Sequence, residues 1–259
     1  IKLLEEKAQL TYEEWFVRMK FPGHESTPIN EETGLPEGWE TKTLGDLGNV
    51  VTGKTPPTSK AEYYNGNIPF IKTPDMSGFP YVIKTNQYLS ESGANTQKNK
   101  FLPKNSLVVS CIGSAGEFAL VSTSSQFNQQ INAIVFKDEF YTFFTYCYAK
   151  QLKPVLDALG SNGATMTNVN KGKFEKIKII IPIPRLLESF HSQAKNHFES
   201  IYLLLNQIEL LKEARDILLP RLMTGMIDVD ALDLSAFEQG DQEEMLMAAE
   251  AEREGYKTI

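Results

Sequence analysis

The sequence predicts an α+β protein in which a strand-rich domain is flanked by long helices that form an antiparallel coiled coil. Three observations indicate this class. Apolar residues recur at steps of three and four along residues 185–225, and the same spacing marks residues 1–20. Short apolar runs separated by turn residues fill the block between them. With 259 residues and 41% hydrophobic content, the chain can bury a sizeable core.

The first helix is predicted over residues 1–20. Glutamates and lysines separate its seam positions, which are Ile1, Leu4, Ala8, Thr11 and Trp15. Because the pattern is already under way at the first residue, we expect the helix to continue upstream in a longer chain. Residues 21–39 contain prolines and glycines without apolar periodicity, which predicts a connector.

Residues 40–184 are predicted to form the strand-rich domain. Apolar runs bounded by turn residues predict strands at Asn49–Val51, Ile68–Ile71, Tyr81–Ile83, Ser106–Ile112, Phe118–Val121, Ile131–Phe136 and Lys176–Pro184. In contrast, the aromatic and aliphatic spacing of Glu139–Leu159 predicts a helix kinked at Pro154. Ser161–Asn170 is rich in Gly, Thr and Asn, which predicts a polar loop.

The long C-terminal helix is predicted over residues 185–225. Eight of its ten seam positions are apolar, and the ten are Leu187, Phe190, Ala194, His197, Ile201, Leu204, Ile208, Leu211, Arg215 and Leu218. A seam of this length measures about 48 Å, which is typical of a helix that sets a distance. An ordinary helix that closes a globular core is the alternative. The acidic residues 226–259 are expected to form a mobile tail.

Charge is segregated along the chain, whose formal net charge is −7. Residues 40–180 carry 15 lysines, no arginine and 10 carboxylates, whereas residues 226–259 carry 2 basic and 10 acidic groups. The basic block permits a polyanionic partner. Its polar turns offer lysines and hydroxyls for phosphates and amides for base edges, although turns of this composition also occur in proteins that bind no nucleic acid.

One motif resembles a nucleotide site. The string GNVVTGKT at Gly48–Thr55 matches the GxxxxGKS/T phosphate loop, but Pro56 and Pro57 follow it at once. A residue before proline is pushed away from helical geometry, whereas the phosphate loop must open a helix. Dinucleotide, nucleophile-elbow and zinc-protease motifs are absent from the sequence. We therefore predict a chain without catalytic residues.

Metal and membrane roles are also not predicted. The two cysteines and three histidines do not follow metal-ligand spacing. The sequence contains neither a signal peptide nor a run of the ~18–20 apolar residues that span a membrane. A cytoplasmic protein without metal or membrane contact is expected.

Several strings, taken together and in order, resemble the specificity subunit of type I restriction-modification systems. They are TYEEWFVRMKFPGHE (Thr11–Glu25), GLPEGWE (Gly34–Glu40), LGDLGNVVTGKTPP (Leu44–Pro57), IPFIKTPDM (Ile68–Met76), FLPKNSLVVSCIGSAGE (Phe101–Glu117), FNQQINAI (Phe127–Ile134), IKIIIPIP (Ile177–Pro184) and IELLKEARDILLPRLMTGMIDV (Ile208–Val229). The resemblance covers about residues 1–230 and leaves the acidic tail outside.

The resemblance implies the C-terminal half of such a subunit. Residues 1–20 would end the central conserved helix, residues 40–184 would be the second target-recognition domain, and residues 185–225 would be the distal conserved helix. The subunit would read one half of a split site in double-stranded DNA and dock an adenine-specific DNA methyltransferase subunit and a restriction (motor-nuclease) subunit. It would hold no cofactor itself, because S-adenosylmethionine and ATP would be bound by those partner subunits.

Two sets of candidate residues follow. The residues expected to face DNA are Lys54, Thr55, Thr58, Lys60, Lys72, Thr73, Gln97, Lys98, Lys100, Gln129, Thr165 and Asn168. The residues expected to contact a protein partner are His197, Ile201, Leu204, Ile208, Leu211, Arg215, Leu218 and Arg221. The lack of arginine in the basic block predicts reading by lysines and amides. The GKTPP and NQQ strings are equally compatible with a structural role.

Two alternatives remain open on the sequence. The chain could be a naturally short half-subunit that acts as a homodimer, in which a second copy supplies the second recognition domain. It could also be a coiled-coil scaffold that does not bind DNA.

Overall fold

A computed structural model describes residues 1–160 and 167–227. Its contacts divide the chain into two units, residues 1–207 and residues 208–259. The first unit is rich in short strands, and a long C-terminal helix follows them, which confirms the predicted α+β class. Residues 161–166 of the predicted polar loop and residues 228–259 of the predicted acidic tail lie outside the described residues.

Five strands form the central sheet. In the order in which they lie side by side, they are β2 (Gly48–Thr52), β10 (Ile131–Phe136), β6 (Leu107–Ser110), β8 (Phe118–Val121) and β4 (Tyr81–Val82). Neighbours are antiparallel except β4 and β8, which are parallel. Each of these strands falls on a predicted one, so five of the predicted strands are confirmed.

The remaining strands form three small sheets. β1 (Glu40–Thr43) pairs with β12 (Lys178–Ile181), and β7 (Ile112–Gly113) pairs with β11 (Thr167–Asn168). β3 (Tyr64–Ile71) lies between β5 (Tyr88–Leu89) and β9 (Gln126–Phe127). β3 and β12 confirm the two other predicted strands.

Seven α-helices occur in the described part of the chain. They are α1 (Lys2–Tyr12), α2 (Leu44–Leu47), α3 (Glu91–Asn95), α4 (Tyr141–Ala149), α5 (Leu152–Gly160), α6 (Lys171–Glu175) and α7 (Pro184–Met223). α1 continues as a π-helical turn over Glu13–Val17, and short 3-10 turns occupy His24–Ser26, Ala61–Tyr63, Thr73–Met76 and Lys98–Lys100. Among the helices described, none combines the length and the hydropathy that crossing a bilayer requires.

The region predicted as one kinked helix forms two helices instead. α4 and α5 are separated at Lys150 and Gln151, which precede Pro154. Pro154 is the third residue of α5, where a missing N–H removes no intrahelical hydrogen bond. The proline is therefore compatible with the start of a helix and does not bend one.

The buried stripe of α7 departs from the predicted seam. Its buried residues are Leu186, Leu187, Phe190, His191, Ala194, Phe198, Ile201 and Leu205. Predicted seam residue His197 is half-buried and Leu204 is 38% exposed, whereas their neighbours Phe198 and Leu205 are buried. Leu187, His191, Ala194, Phe198, Ile201 and Leu205 recur at steps of four and three, so the stripe keeps the heptad spacing but is shifted by one residue from the predicted seam at alternate positions.

α1 packs against this first part of α7. The rings of Tyr12 and Phe190 lie 6.2 Å apart, and burial together with the charge of Lys7 lowers the pKa of His197. Because the later residue of α1 meets the earlier residue of α7, the two helices run antiparallel. The predicted seam is corrected at two positions, since Tyr12 and Phe16 are buried whereas Thr11 and Trp15 are only half-buried.

Aromatic rings fill the space between α1, α4, α7 and the central sheet. We call this cluster the aromatic core, and its members are Tyr12, Phe16, Tyr81, Phe143, Phe144, Tyr146, Phe190 and Phe198. Alternate residues of β6 serve two cores: Leu107 and Val109 face the aromatic core, while Val108 belongs to a second cluster with Ala133. This alternation is the two-residue period of a strand buried on both faces.

Candidate nucleic-acid interface

Five polar segments that are distant in sequence meet where β2 ends and β10 begins. We call this region the loop edge, and its segments are residues 53–60, 72–76, 96–100, 126–130 and 168–170. Each segment contains at least one residue that the sequence predicted to face DNA, and segments 126–130 and 168–170 contribute one each, Gln129 and Asn168. The fold therefore gathers in one place most of the polar turns selected from the sequence.

The backbone of residues 126–130 holds two of the other segments. The Lys54 amide donates to the Phe127 carbonyl at 3.0 Å, and the Asn128 amide donates to the Ile71 carbonyl at 3.0 Å. The chain leaving β2 and the chain leaving β3 are thus fixed to the same short loop. Since hydrogen bonds are directional, these contacts fix the backbone of Lys54 and of the residue before Lys72 relative to the loop at 126–130.

A pair of buried amides attaches the segment 96–100. Gln126 is fully buried, and its Nε2 donates to the Ala94 carbonyl at 3.0 Å. Its Oε1 accepts from Nε2 of Gln97 at 2.8 Å. Gln97 is only 4% exposed, so the expectation that it faces DNA is corrected. Its side chain supports the loop that carries Lys98 and Lys100.

Asn132 attaches the segment 168–170. Its side chain is 2% exposed; Oδ1 accepts from the Thr52 hydroxyl at 2.6 Å and Nδ2 donates to the Val169 carbonyl at 3.2 Å. Asn132 and Gln126 were both missed as site residues. The signal that could have identified Asn132 is a lone amide inside the apolar run INAIVF, because a buried amide needs partners.

The string that matches a phosphate loop does not form one. The amides of Gly53 and Lys54 donate to the Ile131 and Phe127 carbonyls, so they are not available to surround a phosphate. No helix follows Thr55 until a 3-10 turn at Ala61–Tyr63. The glycine has another role, since a Cβ at Gly53 would lie 2.0 Å from the Asn128 carbonyl oxygen.

The loop edge carries five lysines and one carboxylate, Asp75, which accepts hydrogen bonds from the Lys72 backbone amide and from Asn86. In the part of the chain that the structure describes, its lysines make no salt bridge; they are Lys54, Lys60, Lys72, Lys98 and Lys100. Lys60 donates to the Tyr63 hydroxyl at 3.1 Å. Elsewhere, Lys42 and Lys153 pair with Glu40 and Asp157. Lysines without a carboxylate partner can neutralise the phosphates of a polyanion, which then releases its bound counter-ions.

The other predicted DNA-facing residues lie at different depths. Exposed side chains are those of Thr58, Gln129 and Asn168, while Thr55 and Thr73 are half-buried. The Thr55 hydroxyl donates to Oε1 of Gln129, and the Thr73 hydroxyl lies 3.4 Å from that of Ser110. The last predicted residue, Thr165, lies outside the described residues.

The predicted partner-binding residues divide at the boundary of the two units. In the first unit, Ile201 is buried, His197 is half-buried and Leu204 is exposed. In the second unit, Ile208 is half-buried and the others are exposed, namely Leu211, Arg215, Leu218 and Arg221. Arg215 pairs with its neighbour Asp216 at 2.7 Å. Within the second unit this face of α7 therefore remains open.

The described residues offer neither a metal site nor an activated thiol. None of their histidine, cysteine and carboxylate side chains form a group of three that could hold a metal ion. Burial raises the pKa of Cys111 to about 11, so this thiol is protonated at neutral pH and a poor nucleophile. Burial also raises the pKa of Cys147. The chemistry of the loop edge is that of binding by lysines, hydroxyls and amides.

The family of this chain is identified by its similarity to known proteins. Residues 36–188 match the family model described as "Type I restriction modification DNA specificity domain", and the chain belongs to this family. The matched range contains the whole loop edge and ends within α7.

Two relatives illustrate the family. The chain is 42% identical over 197 residues to the type I restriction enzyme HindI specificity subunit of Haemophilus influenzae, covering 74% of this chain and 42% of the relative. It is 28% identical over 240 residues to the MjaIX specificity subunit of Methanocaldococcus jannaschii, covering 89% of this chain and 54% of the relative. The chain thus spans about half the length of these relatives.

A solved structure shows the same fold. The HsdS subunit from Thermoanaerobacter tengcongensis aligns with a TM-score of 0.52 at 17% identity, over 85% of this chain and 50% of that one. The fold of this chain is therefore similar to that of the HsdS subunit.

Proposed function

We propose that this chain reads one half of a split recognition site in double-stranded DNA, as part of a type I restriction-modification complex. The observation that carries the proposal is the loop edge, where five lysines without salt bridges lie on segments that are hydrogen-bonded to a loop of amides. Lysines neutralise phosphates regardless of sequence, whereas amides distinguish base edges in the major groove. Membership of the DNA specificity domain family supports the same conclusion.

The proposed role is recognition without catalysis. The adenine-specific methyltransferase subunit would bind S-adenosylmethionine, and the restriction subunit would use ATP. This chain would hold no cofactor and would place those subunits on DNA in the cytoplasm. The paired amides of Gly53 and Lys54 support this division, because the sequence most similar to a nucleotide site cannot surround a phosphate in this arrangement.

The second unit supports docking of a helical partner. Its exposed apolar residues are Leu210, Leu211, Ile217, Leu218, Leu219, Leu222, Met223 and Met226. Clustered exposed apolar side chains on one helix are typical of a protein interface. The methyltransferase subunit is the partner that we propose for this surface.

A homodimer is the second candidate. The chain spans about half the length of its relatives, so a second copy would supply a second recognition domain. The open apolar face of the second unit would then pack against the same face of the other copy.

Co-expression with an adenine-specific type I methyltransferase subunit tests the proposal. We expect the two proteins to co-purify and the complex to bind duplex DNA with an affinity that falls as salt rises. Light scattering of the chain alone distinguishes a dimer from a monomer. Assembly without salt-dependent DNA binding would instead support a coiled-coil scaffold.

Two substitutions locate the interface. Leu211→Glu and Leu218→Glu should weaken co-purification without lowering the unfolding temperature, because both side chains are already exposed, at 69% and 46%. The matched control is Phe79→Glu, an exposed apolar residue of the strand-rich domain, which should leave assembly intact.

A further inference from the structure

We propose that Gln129 is a base-reading residue of the loop edge, that Thr55 fixes the orientation of its amide, and that adenine is the base it fits. The inference rests on the proposed function and deepens it, since it assigns one residue and one base edge within the same site. Its starting point is a contrast among the four amide side chains of residues 126–130.

Only one of these four amides is exposed. Gln126 is fully buried, Asn128 is 7% exposed, Gln130 is half-buried and Gln129 is exposed. The three inner amides have partners within the protein. Gln129 is therefore the one whose amide is accessible to a molecule outside the chain.

The inner amides make the support of Gln129 rigid. Asn128 Nδ2 donates to Oε1 of Gln130 at 3.0 Å, and the Gln130 amide N–H donates back to Oδ1 of Asn128 at 3.2 Å. These two bonds join Asn128 to Gln130, the residues that precede and follow Gln129. The Cys111 amide also donates to the Gln130 carbonyl at 2.8 Å, which joins the loop to the end of β6. A fixed support is what precise base reading requires.

Thr55 removes the remaining freedom of the side chain. Its hydroxyl donates to Oε1 of Gln129, so the amide group is held with Oε1 toward residue 55. A carbonyl oxygen can accept a second hydrogen bond, and Nε2 retains both of its N–H groups. The pair therefore presents one acceptor and one donor side by side. Because Lys54 next to Thr55 is exposed and carries positive charge, a phosphate can bind beside them.

This pattern matches adenine in particular. The major-groove edge of adenine has the N6 donor and the N7 acceptor, which a glutamine amide contacts through two hydrogen bonds. Guanine presents two acceptors there, so Oε1 would meet an acceptor without a proton between them. Lysine suits guanine better, and the loop edge has lysines nearby for other positions.

Gly53 keeps Thr55 close enough to act. A Cβ at Gly53 would lie 2.0 Å from the Asn128 carbonyl oxygen and 2.5 Å from the Phe127 carbonyl oxygen. Both atoms are backbone, so they cannot turn aside as a side chain would. Only glycine allows the chain after β2 to approach the loop this closely.

Selection from a library of duplexes with a randomised segment tests the proposal. The full chain is used, alone and in complex with the methyltransferase subunit. The wild-type chain should enrich an adenine–thymine pair at one position. Gln129→Ala should abolish the preference at that position alone and lower the affinity for the preferred duplex by roughly 5- to 150-fold.

Two substitutions of Thr55 distinguish the loss of its hydroxyl from the loss of the fold. Thr55→Val removes the hydroxyl and should weaken the preference at the same position, whereas Thr55→Ser keeps the hydroxyl and should retain it. The matched control is Gln151→Ala, another exposed glutamine, at the break between α4 and α5, which should leave the selected sequence unchanged. The salt dependence should be the same in all four variants, because each of them keeps every lysine that can neutralise a phosphate.

The outcomes separate two failures. If Gln129→Ala selects the wild-type sequence, this inference is wrong while the proposed function stands. An altered preference in Gln129→Ala at many positions would also contradict it, since one amide reads one base pair. If the wild-type chain enriches no sequence in either form, the proposed function fails and the assignment of Gln129 fails with it.

Discussion

The loop edge and the aromatic core are stabilised by different forces. In the aromatic core, rings such as Phe143 and Phe198 stack with centroids 4.5 Å apart and exclude water. In the loop edge, amides such as those of Gln97 and Gln126 bond to each other and to backbone. Apolar burial is non-directional and holds the body together, whereas hydrogen bonds are directional and fix where the loops lie.

One strand joins the two regions. β10 begins at Ile131, beside the loop edge, and ends at Phe136, shortly before α4 enters the aromatic core. A change in the aromatic core should mainly alter stability, whereas a change in the loop edge should mainly alter recognition. The following substitutions test how cleanly the two properties separate.

The largest effect on stability is expected from Phe198→Ala in the aromatic core. Phe198 is fully buried, against Phe143 and Tyr146, so truncation removes buried area and leaves a cavity. We expect a loss of about 3–5 kcal/mol in the free energy of unfolding, measured in urea. The control Phe79→Ala removes the same atoms from a side chain that is 47% exposed, and should change it by less than about 0.5 kcal/mol. A loss below about 1 kcal/mol for Phe198→Ala would contradict this account of the core.

A smaller effect is expected from Asn132→Ala, at the junction of the two regions. The substitution leaves the Thr52 hydroxyl and the Val169 carbonyl without their partner. The expected loss is about 1–3 kcal/mol, the cost of unsatisfied buried polar groups. Hydrogen exchange should also show faster opening around residue 169. The exposed Asn196→Ala is the control, and equal stability of the two variants would show that the buried amide is not needed.

The smallest effect is expected in the pH dependence of stability. It concerns His191, whose ring stacks on Phe143 of the aromatic core. Burial lowers the pKa of His191, Lys195 lowers it further, and Glu139 and Asp138 act in the opposite direction. In the unfolded chain, His191 titrates near pH 6.5, so below that pH this side chain binds more protons in the unfolded state than in the folded state. The stability from neutral His191 is thus complete above about pH 6.5 and falls as the pH drops toward the lower, folded pKa.

His191→Phe removes this titrating group and keeps an aromatic ring between Phe140 and Phe143. The difference in unfolding midpoint between about pH 7.5 and about pH 5.5 should be smaller in the variant than in the wild-type chain. Some dependence should remain, because the pKa of His197 is also lowered. An unchanged pH profile would contradict the role of His191.

Local patterns in the sequence predicted the elements well. Runs such as Phe118–Val121 and Ile131–Phe136 were correct to the residue, because alternation and turn residues act over short distances. The register of the α7 stripe was predicted only in part. Leu187, Ala194 and Ile201 are buried as predicted, but the choice between Leu204 and Leu205 depends on what the helix packs against.

The candidate site was predicted in part. The sequence identified polar turns, and the fold brought them together through hydrogen bonds between residues as distant as Thr55 and Gln129. Such long-range bonds leave no local pattern. Gln97 and Gln129 show the consequence, since both are glutamines in polar segments, yet one is buried against Gln126 and the other is exposed.

The central claim is that the loop edge, and not the overall charge of the chain, binds DNA. Two variants with the same change in net charge distinguish these possibilities. One converts Lys54, Lys72, Lys98 and Lys100 of the loop edge to glutamine. The other converts four lysines that already pair with carboxylates, namely Lys2, Lys42, Lys153 and Lys212.

The measurement is the dependence of duplex-DNA affinity on salt for the methyltransferase-bound chain. In the loop-edge variant, we expect the slope of log affinity against log salt to become shallower by about 0.9 for each phosphate that the chain no longer neutralises. In the paired-lysine variant, the slope should stay at the wild-type value. An equally shallow slope in the two variants, or a wild-type slope in the loop-edge variant, would contradict the account.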